Sequence, residues 1–586
     1  MICIHRRFVA LSAAACLLVP VLGAASATRA QERASDTGVV EEVPVPFEYN
    51  RGHIFVVENG VRVCREADHV ETQAMKRRAP GVELKVINSE SISKVRRGTA
   101  SGFTIILRGT SQLDGFPSAK NALIRAAETW MALIRTPATV YIDVDFGPTR
   151  FGDPYPGGVL GSTDSNFPDT ASSWSSIRPR LLTKSNSQAE TDLLNLMPPT
   201  TGIPTTEGTA TLVYLSEIPR RALEIINNVA PAPSDSPGDG SVPSVGFNSA
   251  FSYDFDPFNG ITSTSQDFNA TALHEIGHAL GFVSHTGLKE LASSNPVVLT
   301  TWDLYRFRTG IGTGTFTTAQ RVTSSGGEQV QFTGGGTTRL STGRPNGTGG
   351  DGNQASHWKD NVQNSGTYIG IMDPTGADGD LDELTQVDLD TLDFIGYDVK
   401  DLVTVDSVSA DVAGSTLNIE VAVTTANRRL ETVRTTVLDS ANQTLGSPIV
   451  TSVGSEGVVQ TEVNFPVSIA NSPTAAKVSV VAIDGDGIES APTVLDFSVA
   501  EPGGGNITAV KHNGKKLTIT GTGFTGTLTV EVNGVIVAPP ISIKIKGGGT
   551  KLNIKGSAAT LGLVTGTNRI RVSSNGAFSN LFFLNR

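Results

Sequence analysis

Residues 274–281 read HEIGHALG, and this stretch constrains the fold of the chain more than any other. His274 and His278 are four residues apart, so on a helix both imidazoles lie on one face. Gly281 can adopt the positive φ that ends a helix abruptly. The preceding letters DFNATAL carry polar capping candidates and apolar residues at helical spacing. The pattern therefore predicts a helix that presents two histidines to one metal ion and stops at Gly281.

The residue types in this helix point to hydrolytic chemistry. A catalytic zinc takes three protein ligands and keeps one position open for water. Glu275 directly follows the first histidine, where its side chain can reach that water without binding the metal. Zinc lowers the pKa of the water toward about 7, so Glu275 can take a proton as the water attacks a carbonyl and can pass it to the leaving amine. We therefore predict Glu275 as general base and acid.

The third ligand is not fixed by this stretch. Ser284 is a poor zinc ligand because its hydroxyl must ionise. His285 would face away from the metal if residues 282–285 run extended, unless a bulge corrects the direction. His357, in QASHWKD, lies 79 residues beyond His278. From the residues alone, His285 and His357 both stay open as the third ligand.

The motif and two later segments resemble a known protease family. HExxHxxG at 274–281, the triplet Ser356-His357-Trp358 and a downstream Met372 are similar to the leishmanolysin-like branch of the metzincin zinc endopeptidases. In that branch an insertion separates the helix glycine from the third histidine, and a methionine turn follows. The resemblance covers about residues 100–398 and is confined to these motifs.

The resemblance implies one catalytic zinc, held by His274, His278 and His357. It also implies that Met372 supports the floor of the zinc site, and that the fold is an α/β (α+β) metzincin-type domain with a mixed sheet and an active-site helix. Pro374 stands where some metzincins carry a tyrosine, so no tyrosine is predicted to assist the reaction.

The N-terminus predicts export. Residues 1–30 carry Arg6 and Arg7, an apolar run from Phe8 to about Leu22, and Ala25-Ser26-Ala27 as a cleavage site. We expect a secreted protein of bacterial type, with the periplasm and the cell surface left open as destinations. No other stretch is apolar enough to span a membrane.

Cys64 is the single cysteine left after the signal peptide, so no internal disulfide is expected. It lies in residues 31–98, which we interpret as an N-terminal segment and candidate propeptide. Some metzincin propeptides close the zinc site with a cysteine thiolate, and the resemblance makes Cys64 a candidate for this role. The alternative is a lone thiol without function.

The rest of the chain divides into regions with different secondary-structure patterns. Residues 99–400 combine strand candidates (FTIILRG, the alternating TVYIDVDFG, TATLVYLSEIP) with helical patterns near 118–134 and 384–395, as a sheet packed against helices would require. The Gly-rich stretch 309–353 is too long for a plain loop, so we expect an insertion with its own structure. After residue 400 the pattern predicts two all-β sandwich modules: 401–500 resembles immunoglobulin or fibronectin modules, and 507–586 resembles the immunoglobulin-like type of plexins and transcription factors (IPT/TIG).

Charge and composition narrow the partners. The net charge of −11 argues against a general nucleic-acid binder, which would be basic. We expect protein or peptide substrates, and surface or polysaccharide contact through the β modules as a further option. The acidic turns 254–260 and 373–383 are weak calcium candidates, because neither fits the spacing of an EF-hand loop. The rival to the endopeptidase is an adhesin or other surface-binding protein with an inactive protease-like domain; an intact Glu275 argues against it.

Overall fold

The computed structural model describes residues 40–45, 51–58, 61–77, 79–92, 102–199, 201–233, 242–291, 296–343, 349–413, 416–454, 460–469, 475–497, 504–533, 535–537, 542–580 and 582–586. All of them belong to one of the two units into which the chain divides, Val40–Arg586. The other unit, Met1–Val39, contains the predicted signal peptide and lies outside the described residues.

The part before residue 400 mixes helices and strands. The helices are α1 (His69–Lys76), α2 (Pro117–Leu133), α3 (Trp174–Lys184), α4 (Gln188–Asn195), α5 (Glu217–Ala222), α6 (Phe268–Leu280) and α7 (Gln386–Phe394). The strands are β1 (Glu42–Pro44), β2 (His53–Glu58), β3 (Val61–Glu66), β4 (Leu84–Val86), β5 (Thr104–Thr110), β6 (Thr139–Gly147), β7 (Thr149–Arg150), β8 (Asp153–Pro154), β9 (Val159–Asp164), β10 (Thr170–Ser173), β11 (Ile203–Thr205), β12 (Gly208–Ala210), β13 (Leu212–Val213), β14 (Ser244–Asn248), β15 (Tyr253–Asp254), β16 (Gln266–Asp267), β17 (Val298–Leu299), β18 (Arg306–Phe307), β19 (Gln329–Phe332) and β20 (Thr337–Leu340). The sequence-based expectation of mixed α/β content is confirmed.

A seven-stranded mixed sheet organises this part. Its strand order is β3-β2-β9-β14-β6-β5-β4. Strand β6 is parallel to both of its neighbours, β14 and β5, whereas β9 and β2 are antiparallel to theirs. Strands β2 and β3 come from the segment interpreted as an N-terminal candidate propeptide. That segment therefore adds strands to the same sheet instead of standing apart from it.

Strand β6 differs from its sequence pattern in an informative way. Strict alternation predicts a half-buried strand, but the charged residues of the second face are buried as well. Asp143 receives two hydrogen bonds from the Arg108 guanidinium, at 2.7 and 3.0 Å. Asp145 accepts from Thr110 Oγ1 at 2.6 Å. These pairings satisfy the carboxylates, so both faces of β6 can be covered.

Helices α2 and α6 pack together against the sheet. The apolar stripe predicted for α2 is buried, and Trp130 Nε1 donates to the backbone oxygen of Leu273 in α6 at 3.2 Å. Helix α6 begins at a cap in which Asp267 accepts from Ala270 N at 2.9 Å, and it ends at Gly281, whose φ is 116°. The predicted helix and its glycine stop are confirmed. Helix α7 likewise ends before Gly396, which has φ 114°.

The Gly-rich insertion contains regular structure, as the sequence predicts. Strands β19 and β20 form a three-stranded sheet with β18. Buried Arg306 on β18 donates to Gln329 Oε1 at 2.7 Å and to Ser341 O at 3.0 Å, which fastens the insertion to the domain.

The C-terminal part consists of β modules. The first has strands β21 (Val403–Ala413), β22 (Thr416–Thr425), β23 (Leu430–Asp439), β24 (Ile449–Ser452), β25 (Gln460–Ser468), β26 (Ala475–Asp484) and β27 (Thr493–Asp496), in sheets β21-β22-β25 and β24-β23-β26-β27. The second has strands β28 (Asn506–His512), β29 (Lys516–Thr522), β30 (Leu528–Val532), β31 (Val535–Ile536), β32 (Ile543–Lys546), β33 (Lys551–Lys555), β34 (Thr567–Ser574), β35 (Ala577–Phe578) and β36 (Phe582–Asn585), in sheets β28-β29-β33-β32 and β31-β30-β34-β35, with β36 on β34. Each module has an apolar core drawn from both of its sheets. Among the helices of the described residues, none is long and apolar enough to cross a membrane.

Replacing Asp143 with alanine should destabilise the part before residue 400 by about 3–5 kcal/mol, because the buried Arg108 would keep its charge without the carboxylate. All four tryptophans of the chain, at 130, 174, 302 and 358, are buried in this part. Tryptophan fluorescence during urea unfolding therefore reports on it separately from the β modules. The matched control is Asp114→Ala, which removes the exposed partner of Lys120 and should leave the midpoint unchanged. An unchanged midpoint for Asp143→Ala would contradict the prediction.

Candidate metal centre

Three histidine nitrogens converge beside helix α6. His274 and His278 lie one turn apart on the helix, and their Nε2 atoms are 3.1 Å from each other. His357, from the segment after the insertion, brings its own Nε2 to 3.2 Å from that of His274. All three side chains are buried. The structure thus brings together the three histidines that the family resemblance implies as ligands.

The other ring nitrogen of each histidine faces a backbone carbonyl. Nδ1 of His274 is 2.8 Å from Ile371 O, and Nδ1 of His278 is 2.7 Å from Phe282 O. Nδ1 of His357 is 3.0 Å from Gln354 O. A carbonyl oxygen can only accept, so each Nδ1 carries the proton and each Nε2 presents a lone pair.

This arrangement fits a cation. Three lone pairs at about hydrogen-bond distance repel one another unless a positive charge lies between them. Protonation of the rings is disfavoured: burial lowers the pKa of His274 to about 4, and burial together with the neighbouring histidines holds the pKa of His278 and His357 well below 6.5. Neutral imidazoles with inward lone pairs are the form that binds metal ions.

His285, the other sequence candidate for the third ligand, lies outside this group. Its ring lies between Phe167 and Tyr214, with centroid distances of 5.5 and 5.4 Å. Its backbone nitrogen donates to Asp303 Oδ2 at 3.0 Å, and Ser284 Oγ donates to Asp303 Oδ1 at 2.5 Å. The buried carboxylate of Asp303 therefore fixes this segment with His285 turned away.

Met372 and Asp388 make buried contacts next to the histidine group. Met372 is fully buried, and its Sδ would lie 2.8 Å from a Cβ built on Gly277, so the sulfur packs directly against the helix backbone. Asp388 accepts from Trp358 Nε1 at 2.7 Å and from Ile371 N at 2.9 Å. Asp388 thus connects Trp358, the neighbour of His357, to Ile371, whose carbonyl oxygen orients the His274 ring.

Glu275 lies beside the histidines and is fully buried. Its Oε2 accepts from Thr163 Oγ1 at 2.5 Å, and its Oε1 has no hydrogen-bond partner among the described residues. Burial raises the pKa of Glu275 to about 7, against the opposing effects of Thr163 and Arg150. A carboxyl group with one free oxygen and a pKa near neutrality can both take and return a proton.

Cys64 completes a group of four. Its Sγ is 3.7 Å from His278 Nε2, and the ligand atoms of Cys64, His274, His278 and His357 all lie within 4.8 Å of one another. Burial and the charge of Glu275 raise the pKa of the thiol well above its ordinary value, so without a cation it is neutral. This buried group could hold a metal ion.

Strands β2 and β3 carry Cys64 over the site as a hairpin. Strand β2 lies antiparallel on β9, with His53 opposite Thr163 and Phe55 opposite Gly161. The His53 ring stacks on that of His278, with centroids 3.9 Å apart and planes within 6°. Cys64 N donates to Pro374 O at 2.8 Å, and Arg62 pairs with Asp378 on the far side.

Sequence reasoning missed His53, Phe55 and Thr163. The sequence does contain a signal for the hairpin. In HIFVVENGVRVCRE (53–66), an Asn-Gly pair lies between two runs of alternating strand residues, which is a strong hairpin pattern. Nothing in that pattern identifies β9 as its neighbour.

The two acidic turns considered for calcium do not form a comparable group. Asp254 accepts from Thr262 Oγ1 at 2.7 Å, and Asp256 accepts from Phe258 N at 3.0 Å, which are ordinary turn contacts. Across the described ranges, the Cys64 and histidine group is where three or more metal-binding side chains converge.

Comparison with known proteins assigns no family. No protein-family model matches the chain, and no curated protein does. A solved structure that matches is the crystal structure of murine CEACAM1b, at 12% identity, over 31% of this chain and 98% of that one, with a TM-score of 0.13. A similarity at that score carries no argument about the fold or the function.

Metal binding should depend on His357 and not on His285. His357→Ala removes one of three converging nitrogens, so we expect the bound metal to fall from about one equivalent to well below it after dialysis. His285→Ala removes a ring of the same kind outside the group and serves as the matched control. Atomic emission analysis of the purified proteins measures this, and the opposite ranking would reassign the third ligand.

Proposed function

We propose that this chain is a secreted zinc endopeptidase, related to the leishmanolysin-like metzincins, that is made with its active site closed by its own N-terminal segment. The observation that carries the proposal is the set of three inward-facing Nε2 atoms beside a buried glutamate with one free oxygen. The sequence motifs support the family assignment, and the signal peptide predicted from the sequence supports secretion.

Zinc suits the donor set best. Three neutral imidazoles would supply nitrogen donors and Cys64 a sulfur donor, and zinc prefers such donors, whereas calcium and magnesium prefer oxygen. When bound there, zinc polarises a peptide carbonyl and lowers the pKa of water. The three backbone carbonyls at Ile371, Phe282 and Gln354 fix the direction of the rings, as outer partners of zinc-binding histidines commonly do.

Glu275 supplies the proton transfer in this proposal. Thr163 holds Oε2, so Oε1 is the oxygen that takes a proton from the attacking water. Once protonated, the same carboxyl group can donate that proton to the leaving amine. The side chain does both without leaving its hydrogen bond to Thr163.

Glu275→Gln should lower kcat/KM for casein cleavage by about 10²- to 10⁴-fold, because it removes the group that accepts the proton. Zinc content should stay at the wild-type level, since Glu275 is outside the group of four. Metal analysis and cleavage of fluorescent casein are measured on the same preparation. If the variant holds zinc and cleaves as fast as the wild type, the endopeptidase proposal fails.

The hairpin accounts for a closed precursor. Cys64 reaches the metal group from β3, and β2 occupies the edge of β9 beside Glu275. A cation would stabilise the thiolate that burial alone disfavours, so the sulfur can take the position that water needs. In this form β2 occupies the place beside Glu275 that a substrate strand would take along β9.

Thiolate ligation can be tested directly with cobalt. In a Glu275→Gln background, which prevents self-processing, the Co²⁺-loaded full chain should show a thiolate-to-cobalt absorption band. Cys64→Ser should abolish this band while keeping cobalt bound. With Glu275 intact, Cys64→Ser should shorten about tenfold the time before the N-terminus is removed and casein cleavage begins, because no sulfur–metal bond then holds the hairpin on the site; mass spectrometry follows the removal. Identical spectra and identical rates for the two proteins would contradict a closing role for Cys64.

We assign the C-terminal β modules a spacing or docking role toward a surface or polysaccharide. The rival adhesin function would leave the catalytic glutamate without a task. The retained geometry at Glu275 favours the endopeptidase.

A further inference from the structure

With the hairpin in place, a small cavity of about 30 Å³ lies beside His274 and Glu275. One wall is the turn of α6 that precedes His274, and the other is the segment that follows Met372. Phe55 of the hairpin lies at this cavity. We call this the acidic cavity; of its lining residues, those used below are Phe55, Gln266, Asp373, Gly376 and Asp382.

The wall after Met372 is strongly acidic. Residues 373–383 contain five carboxylates and neither lysine nor arginine. Two of the five have cationic partners elsewhere: Asp378 pairs with Arg62, and Glu383 pairs with Arg428. Asp382, which lines the acidic cavity, has no hydrogen-bond or ion-pair partner among the described residues. Burial and the neighbouring carboxylates of Asp373 and Asp267 raise the pKa of Asp382 to about 7, so its charge is poorly compensated.

A second, independent feature of the cavity is a buried amide oxygen that lacks a hydrogen-bond donor. Gln266 lines it and is 5% exposed, and its Oε1 has no hydrogen-bond partner among the described residues. Its Nε2 packs against Gly376, where a Cβ would come within 2.5 Å. Buried acceptors without partners are rare in native proteins. A lysine ammonium or an arginine guanidinium has donors only, so it would satisfy both the amide oxygen and the carboxylate.

The hairpin indicates which substrate residue reaches the cavity. Strand β2 runs antiparallel to β9, and its His53 stacks on His278. His53 is opposite Thr163 on β9, and Thr163 donates a hydrogen bond to Glu275. Phe55, two residues later, lies at the cavity. A substrate strand on the same edge and in the same direction would be cut close to Glu275. Phe55 and Glu275 both line the cavity, so a bond cut beside Glu275 would lie immediately before the residue whose side chain enters the cavity.

We propose that the acidic cavity binds the side chain of a lysine or arginine that directly follows the cleaved bond, with Asp382 and Gln266 as its partners. This inference rests on the proposed endopeptidase function and adds its substrate preference. The arrangement also explains why Phe55 is suited to the closed precursor, since an apolar ring meets the cavity without pairing with Asp382.

The first test is a cleavage profile. The full chain is loaded with Zn²⁺, allowed to activate, and incubated with a peptide library of mixed sequence, and the product N-termini are read by mass spectrometry. We expect lysine and arginine at the first position after the cut to be enriched about tenfold over uncharged residues. Cleavage without this enrichment, or with basic residues before the cut, would overturn the inference but leave the endopeptidase proposal standing. Absence of all cleavage would contradict the endopeptidase proposal and this inference with it.

The second test assigns the preference to Asp382. Two fluorogenic peptides differ only in lysine or methionine after the cut bond. Asp382→Asn should lower the lysine-to-methionine ratio of kcat/KM about tenfold, and Asp382→Lys should instead favour a glutamate peptide. Asp380→Asn is the matched control, because it makes the same change on an exposed residue of the same segment and should leave the ratio unaltered. Zinc content and tryptophan fluorescence verify folding. An equal ratio for wild type and both Asp382 variants would overturn the assignment.

Discussion

The three hydrogen bonds from histidine Nδ1 atoms to backbone carbonyls are the interactions on which the site depends. Without them, each ring could turn its protonated nitrogen inward, and the three Nε2 lone pairs would not converge. The accepting carbonyls belong to Phe282, Gln354 and Ile371, which lie in three separate segments. Much of the surrounding structure can be understood as the means of fixing those segments.

Two buried carboxylates do most of that fixing. Asp303 accepts from Ser284 and His285, and so determines how the chain leaves Gly281 and where it presents the Phe282 carbonyl. Asp388 joins Trp358 to Ile371, and so couples the segment that carries His357 to the segment that orients His274. Burial raises the pKa of Asp388 to about 6, while its hydrogen bonds to Trp358 and Thr385 favour the charged form. A carboxylate that receives several directed donors is costly to displace, which keeps both segments in one arrangement.

Local patterns in the sequence predicted what local interactions determine. Helix α6, its end at Gly281 and the stripe of α2 follow from helical spacing and glycine conformation, and the structure has all of them. The choice between His285 and His357 could not be made from spacing, because it depends on Asp303, a residue 18 positions away that captures the backbone of His285. Family resemblance pointed to His357, and His357 is the histidine that lies together with His274 and His278. Burial of both faces of β6 could not be predicted from its sequence either, because it requires Arg108 of the neighbouring strand to pair with Asp143.

The placement of Cys64 shows the same limit more strongly. Its hairpin is signalled by Asn59-Gly60, yet a hairpin pattern does not identify the sheet edge to which it adds. Strand β9 would otherwise present an unpaired edge beside Glu275, and uncovered edges tend to recruit other strands. Covering that edge with β2 therefore protects the newly made chain, whereas under the proposed function exposing it later provides the row of backbone groups on which a substrate strand is held. The same edge would then serve folding while the hairpin is present and recognition after it has left.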